Sequence, residues 1–243
     1  MTGIGILGSA GRMGKAIARA VEEHESARLA GAAGKGDDFA ALAAACDVLI
    51  DFSTPDALHA HLDAAVNAGT PIVVGTTGLT GEHERALHQA AARIPVLASA
   101  NMSLGVNLLA YLVREAASRL GPDWDIEIVE MHHRHKVDAP SGTALLLGSA
   151  AASGRGVDLA KVSDRGRDGI TGARSPGHIG FASLRGGSVA GEHLIIFAGE
   201  GERMELGHRA ENRDIFARGA VRAALWLKDR PAGLCSMADL LEI

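Results

Sequence analysis

Short apolar runs alternate with amphipathic stretches over the first hundred residues. Ile4-Gly5-Ile6-Leu7 predicts a buried strand, and Met13, Ile17 and Val21 then recur at i, i+4 and i+8, one face of a helix. Residues 28–33 and the stronger run 47–52 predict two more strands. Ser53-Thr54-Pro55 offers a capping hydroxyl followed by Pro at the first helical position, and Gly69 closes the helix it starts. Pro71-Ile72-Val73-Val74 and Pro95-Val96-Leu97-Ala98 continue the β-α-β-α series. That alternation predicts a Rossmann-like α/β domain, a parallel sheet with helices on both faces.

The pattern changes near residue 100. Ser103 is placed to cap a helix that runs to Leu120 and is closed by Gly121-Pro122. Residues 125–131 alternate as a strand does. Residues 154–201 hold twelve glycines, with strand-like runs at 179–184 and 194–197, and Gly199-Glu200-Gly201-Glu202 marks a turn into 203–208. Successive strands with few helices between them predict a smaller α+β domain with a mainly antiparallel sheet. A last helix over 214–228 carries Ile215, Phe216, Ala220, Val221 and Leu225 on its apolar side, and Pro231 stops it.

Composition narrows the class of protein. Of 243 residues, 47% are hydrophobic and only 3% aromatic, so aliphatic side chains must build the core. A net charge of −5 provides no global attraction to nucleic acid or an anionic membrane. No run reaches the ~18 apolar residues of a membrane span, and the N-terminus lacks the basic stretch of a signal peptide. The expectation is a cytoplasmic protein with no nucleic-acid or membrane partner. Cys46 and Cys235 lie far apart and fit no metal spacing, and Cys46 reads as a small buried residue.

The densest chemistry lies in Glu130-Met131-His132-His133-Arg134-His135-Lys136-Val137-Asp138-Ala139-Pro140-Ser141-Gly142-Thr143-Ala144. Titratable nitrogens crowd beside the start of an apolar, helix-prone segment. A helix N-terminus favours an anion, so the run predicts proton transfer to an acidic substrate. Any one of these histidines alone would read as solvated; the combination does not. Of the remaining histidines, His59, His61, His83 and His88 fall on predicted helices and read as solvated, whereas His193 and His208 read as structural.

A second motif lies at the end of the first strand, where Gly8-Ser9-Ala10-Gly11-Arg12-Met13-Gly14 leads into a helix. Such glycines permit a tight bend, close approach of a pyrophosphate and close helix packing. After the second strand stands Ala33-Gly34-Lys35-Gly36, with no carboxylate for ribose hydroxyls and Lys35 available for a 2′-phosphate, which favours NADPH over NADH unless Asp37 or Asp38 swings in. Gly75-Thr76-Thr77-Gly78 and Ser99-Ala100-Asn101-Met102-Ser103 follow later strands, where open α/β sheets bind ligands.

With both motifs in place, the chain resembles the dihydrodipicolinate reductases of bacterial lysine biosynthesis, through an intact E-x-H-H-x-x-K-x-D-x-P-S-G-T-A at Glu130–Ala144. The likeness extends through Asp51-Phe52-Ser53, Gly75–Gly78, Ala100-Asn101, Ile179–Ala182 with Leu184-Arg185, Gly191-Glu192-His193 and Gly219-Ala220-Val221. It implies reduction of 4-hydroxy-tetrahydrodipicolinate, through dihydrodipicolinate, to tetrahydrodipicolinate by NAD(P)H in the diaminopimelate pathway. His132 and Lys136 would be the catalytic proton carriers, and His133, Gly142 and Thr143 would hold the substrate carboxylates. Gly8, Ser9, Ala10, Gly11, Arg12, Met13, Lys35, Gly75, Thr76, Thr77, Ser99, Ala100, Asn101 and Met102 would line the cofactor, with no metal. The resemblance also implies a discontinuous nucleotide domain, 1–103 with 215–243, around a substrate and oligomerisation domain, 104–214, in a homotetramer. Gly34 departs from the family where many members carry an acidic residue, and Met102 where some carry an aromatic.

Other classes fit less well. A different nicotinamide dehydrogenase of a small amino or dicarboxylic acid is the nearest alternative. A phosphorylating semialdehyde dehydrogenase would need a nucleophilic cysteine at a helix start, a setting neither cysteine has. A metal hydrolase would need carboxylates paired with the histidines, and a dinucleotide sensor would not need both His132 and Lys136.

Overall fold

A computed structural model describes all 243 residues. The chain runs β1 (Thr2–Leu7), α1 (Arg12–Glu22), β2 (Ala27–Ala33), α2 (Phe39–Ala45), β3 (Val48–Asp51), α3 (Pro55–Ala68), β4 (Ile72–Val74), α4 (Gly81–Ala91) and β5 (Pro95–Ala98). It continues through α5 (Leu104–Leu120), β6 (Asp125–His132), α6 (Gly142–Gly154), α7 (Leu159–Val162), β7 (Ser163–Asp164), β8 (Ile179–Arg185), β9 (Gly191–Gly199) and β10 (Glu202–Ala210), and closes with α8 (Asp214–Leu227), β11 (Gly233–Cys235) and α9 (Met237–Leu241). Two compact units result: Met1–Leu104 with Asp214–Ile243, and Gly105–Arg213.

The first unit is a six-stranded, all-parallel sheet in the order β11-β5-β4-β3-β1-β2. Its inner strands are near-continuous apolar runs because both faces are covered, whereas edge strand β2 carries exposed Arg28. Val48, Ile50, Val73 and Leu97 point into one core with α1, α8 and α9. Leu49, Ile72, Val74 and Val96 point into the other with α2, α3 and α4. Thr54 is the N-cap of α3, but its side chain makes no capping bond, contrary to the expected hydroxyl cap. Pro55 occupies N1, which leaves one donor fewer to satisfy and already presets the helical φ. Gly69 ends that helix at φ 71°, left-handed as expected.

The second unit packs α5 and α6 against a five-stranded sheet ordered β10-β9-β6-β8-β7. This sheet is mixed, with its longest pairing antiparallel as expected. Strands β6, β9 and β10 pair antiparallel, whereas β6–β8 and β8–β7 pair parallel. The reason is the α6–α7 crossover, which returns the chain to the sheet in its original direction. On β6, Ile126 and Ile128 are fully buried, and Glu130 and His132 follow on the same pleat face. Period two thus carries a polar pair to the end of an apolar row. No helix is long and apolar enough to cross a membrane.

Candidate active site

In the second unit the site is built around Glu130. Its Oε2 lies 2.5 Å from His132 Nδ1, and Arg185 grips both carboxylate oxygens at 2.9 Å. Oε1 also accepts the Ser141 N–H at 3.3 Å. Glu130 is 1% exposed, so this fourfold satisfaction is what makes its burial tolerable. Burial alone would raise the Glu130 carboxyl, but Arg185 and the bond to His132 more than offset it and hold it below the usual carboxylate range.

With Nδ1 engaged by Glu130, His132 has Nε2 left for other chemistry. A Cβ on Gly191 would lie 3.1 Å from that nitrogen, so glycine keeps its approach clear. Burial pushes the His132 imidazole below the ordinary histidine value; Glu130 pulls it back up, and Lys136 and Arg185 add to the push downward. His193 stands edge-on to the ring, 5.2 Å between centroids. Burial, with His132 beside it, pushes His193 down to about 4, so it is neutral near pH 7. Ser141 Oγ accepts the Ala144 N–H as the N-cap of α6 and shares a hydrogen bond with His193 Nε2 at 3.0 Å. His193 is therefore structural, as expected, and fixes the loop that starts α6.

Gly142 and Thr143 are the first residues of α6, where the dipole favours an anion. Lys136 Nζ pairs with Asp138 Oδ1 at 2.8 Å, and that ammonium holds the Asp138 carboxyl below its usual value. His133 Nε2 accepts a hydrogen bond from Arg213 at 3.0 Å, a second cation that the sequence reading did not single out. The histidines form no group with other ligands able to hold a metal ion.

In the first unit the expected cofactor residues cluster at the carboxyl ends of β1, β4 and β5. Gly8 has φ +82°, and a Cβ there would lie 2.5 Å from the Phe52 carbonyl oxygen. A Cβ on Gly14 would lie 2.5 Å from the Gly8 carbonyl, so α1 can close on the turn only with glycine there. These are the close approaches that a pyrophosphate cradle demands, and the turn Gly8–Met13, with exposed Ala10, Gly11 and Arg12, fits a dinucleotide. Gly75 presses on the Phe52 ring, and Thr77 is exposed beside it. Ser99 Oγ donates to the Asn101 carbonyl at 2.8 Å, shaping the turn that carries exposed Ala100. Two residues of these loops turn their side chains inward. Met102 is 1% exposed, and its side chain packs in the core with α8, so it offers no side chain to a ligand. Thr76 is 5% exposed, with its hydroxyl turned inward onto Asp51 Oδ1 at 3.2 Å.

Lys35 is exposed after β2, and Asp37 folds back so that its Oδ2 accepts the Gly34 N–H at 2.8 Å. Cys46 is half-buried rather than buried, at the end of α2. His61, expected to be solvated, is 2% exposed and bonded to Asp51 Oδ2 at 2.9 Å. The helical period placed it on α3 but carried no sign of its partner ten residues earlier.

A glycine-cradled parallel sheet joined in one chain to a unit with a buried imidazole–carboxylate site defines a dinucleotide-dependent oxidoreductase. Comparison with known proteins is specific. Residues 2–102 match the model of the dihydrodipicolinate reductase N-terminus and residues 105–241 that of its C-terminus, and the chain belongs to this family. It is 58% identical to a 4-hydroxy-tetrahydrodipicolinate reductase of Zymomonas mobilis, over 99% of this chain and 97% of that protein. It is 52% identical to the enzyme of that name from Caulobacter vibrioides, over 98% and 96%. Among solved structures, a dipicolinate-bound dihydrodipicolinate reductase from Paenisporosarcina sp. TG-14 superposes with a TM-score of 0.77 at 25% identity, covering 98% of both chains. A probable dehydrogenase from Thermotoga maritima shares the fold, with a TM-score of 0.62 at 13% identity, over 98% of this chain and 92% of that one.

Proposed function

We propose that this chain reduces 4-hydroxy-tetrahydrodipicolinate, through dihydrodipicolinate, to tetrahydrodipicolinate, with His132 as the proton donor. The observation that carries this reading is the His132 imidazole, tied at Nδ1 to a buried, Arg185-clamped Glu130 and clear at Nε2. A bound reduced nicotinamide supplies the hydride to the substrate ring. His132 Nε2 delivers the proton that the resulting enamine takes up, and Glu130 stabilises the imidazolium form before that transfer. Lys136 exchanges Asp138 for a substrate carboxylate. The N-terminal turn of α6, at Gly142 and Thr143, receives the second carboxylate, with His133 beside it.

The first unit holds the dinucleotide through Gly8–Met13, Gly75–Thr77 and Ser99–Asn101, and the second holds the dicarboxylate. Lys35 favours NADPH through its 2′-phosphate. A second reading has its own support: the Asp37 carboxylate, folded onto Gly34, supplies an acceptor for ribose hydroxyls and would admit NADH. Half-buried Val129, Met131 and Leu194 on the open face of the second sheet support a homotetramer assembled there.

The test is NADPH oxidation with freshly made substrate, followed by absorbance. Absence of substrate-dependent oxidation with either nucleotide would reject the function. Lys35→Ala should raise KM for NADPH several-fold, about the value of one exposed charge pair, and leave KM for NADH alone. Equal effects on both would remove Lys35 from phosphate recognition and leave the choice to Asp37.

A further inference from the structure

We infer that Asp51 and His61, which touch neither nucleotide nor substrate in the scheme above, are positioning residues that set the dinucleotide-binding loops in place before the nucleotide arrives. The inference rests on the reading that those loops bind a dinucleotide. Asp51 ends β3 and is fully buried. Its Oδ1 accepts the Ser53 N–H at 2.9 Å and the Thr76 hydroxyl at 3.2 Å, and its Oδ2 meets His61 Nδ1 at 2.9 Å. One carboxylate thus ties together the turn after β3, the turn after β4 and the second turn of α3.

The contacts continue through the backbone. Ser53 N–H also reaches Thr76 Oγ1 at 3.1 Å, and Gly75 N–H donates to the Asp51 carbonyl at 2.9 Å. Phe52, held between these bonds, donates its N–H to the Leu7 carbonyl at 3.1 Å. Its carbonyl and ring are the surfaces that Gly8 and Gly75 approach too closely for any side chain. A shift of the turn after β3 is therefore transmitted to both glycine loops.

His61 is the member of this network that supplies a donor from outside the loops. A carboxylate can only accept, so His61 Nδ1 is placed to donate to Oδ2, and the same nitrogen lies 3.3 Å from Ser53 Oγ. Phe39 stacks edge-on to the ring at 4.4 Å between centroids and fixes its plane. Replacing the imidazole with an apolar group leaves Oδ2 buried without a donor. The carboxylate must then turn toward its remaining partners, Ser53 and Thr76, and move the loops they belong to.

The test compares full-length wild type, His61→Leu and His61→Asn, the last placing an amide donor near the position of Nδ1. NADPH binding is titrated by fluorescence, and dipicolinate serves as the probe of the other site. His61→Leu should weaken NADPH binding and raise KM for NADPH about tenfold, from one unsatisfied buried acceptor. Turnover at saturating nucleotide and dipicolinate affinity should stay within about twofold, and His61→Asn should recover most of the loss. NADPH affinity unchanged in His61→Leu, or lost in equal measure with dipicolinate affinity, overturns the inference. Failure of wild type to bind either NADPH or NADH overturns the function itself, a distinct outcome. Should His61→Leu not fold, hydrogen exchange of nucleotide-free wild type decides: the Ser53 and Gly75 amides should exchange as slowly as β3. Exchange at the rate of an open loop overturns the inference.

Discussion

In the first unit the Asp51 carboxylate meets His61, and in the second the Glu130 carboxylate meets His132. Both carboxylates are buried to within 1% of complete enclosure, and both imidazoles bond through Nδ1. Their other partners differ. Asp51 receives donors from two ligand-side turns and faces an imidazole enclosed against Phe39. Glu130 receives a guanidinium fork and faces an imidazole whose Nε2 is kept clear by Gly191. The pairing itself is therefore neutral as to role. A carboxylate–imidazole pair becomes a brace when both rims are sealed, and a proton carrier when one nitrogen is left an approach and a cation holds the carboxylate charged.

The contrast can be broken most forcefully at His132. His132→Ala should cut turnover by roughly 10²–10⁴ while the NADPH dissociation constant measured by titration stays near wild type, as for loss of a general acid. Wild-type turnover would place the proton elsewhere. Glu130→Gln comes next, with a loss of about 10–100-fold, the usual effect of an orienting partner. Its pH profile sharpens the comparison. Glu130 raises the His132 pKa, so its removal lowers it further. A proton donor is active in its protonated form; the alkaline fall of kcat/KM should therefore move to lower pH in Glu130→Gln. An unmoved limb would mean that another group titrates. The smallest effect is a cross-check: Glu130→Gln should leave NADPH affinity within about twofold, since Glu130 shares no hydrogen-bond partner with the turns of the first unit.

Much of this was legible in the chain because the informative residues are contiguous. Glu130, His132, Lys136, Ser141 and Gly142 fall within one short run, and β6 places the first two on one face by simple alternation. The glycine turn was equally visible, since Gly8, Gly11 and Gly14 sit between a strand and a helix whose periods are clear. What was hidden depends on partners distant in sequence. Arg185 reaches Glu130 across 55 positions, and His193 reaches Ser141 across 52. Ala-rich α3 gave His61 a helix but no burial, because its face is decided by Asp51 in another element. The parallel pairing of β6 with β8 was hidden for the same reason, as strand direction depends on where the crossover lands. β11 and α9 are three and five residues long, too short for any period to show.

The return of α8 to the first unit has a consequence for biosynthesis. Ala220, Val221, Ala224 and Leu227 fill the core beneath Ile4, Ile6 and Ile17, and α8 can seat there only because Gly219 meets the Met102 carbonyl without a side chain between them. Residues 1–104 thus leave the ribosome as a sheet with one side covered only in part, by α1. They wait through translation of the entire inserted unit, so the later-made lobe is the first that can complete itself, and nascent chains halted before residue 214 present an open apolar flank to chaperones.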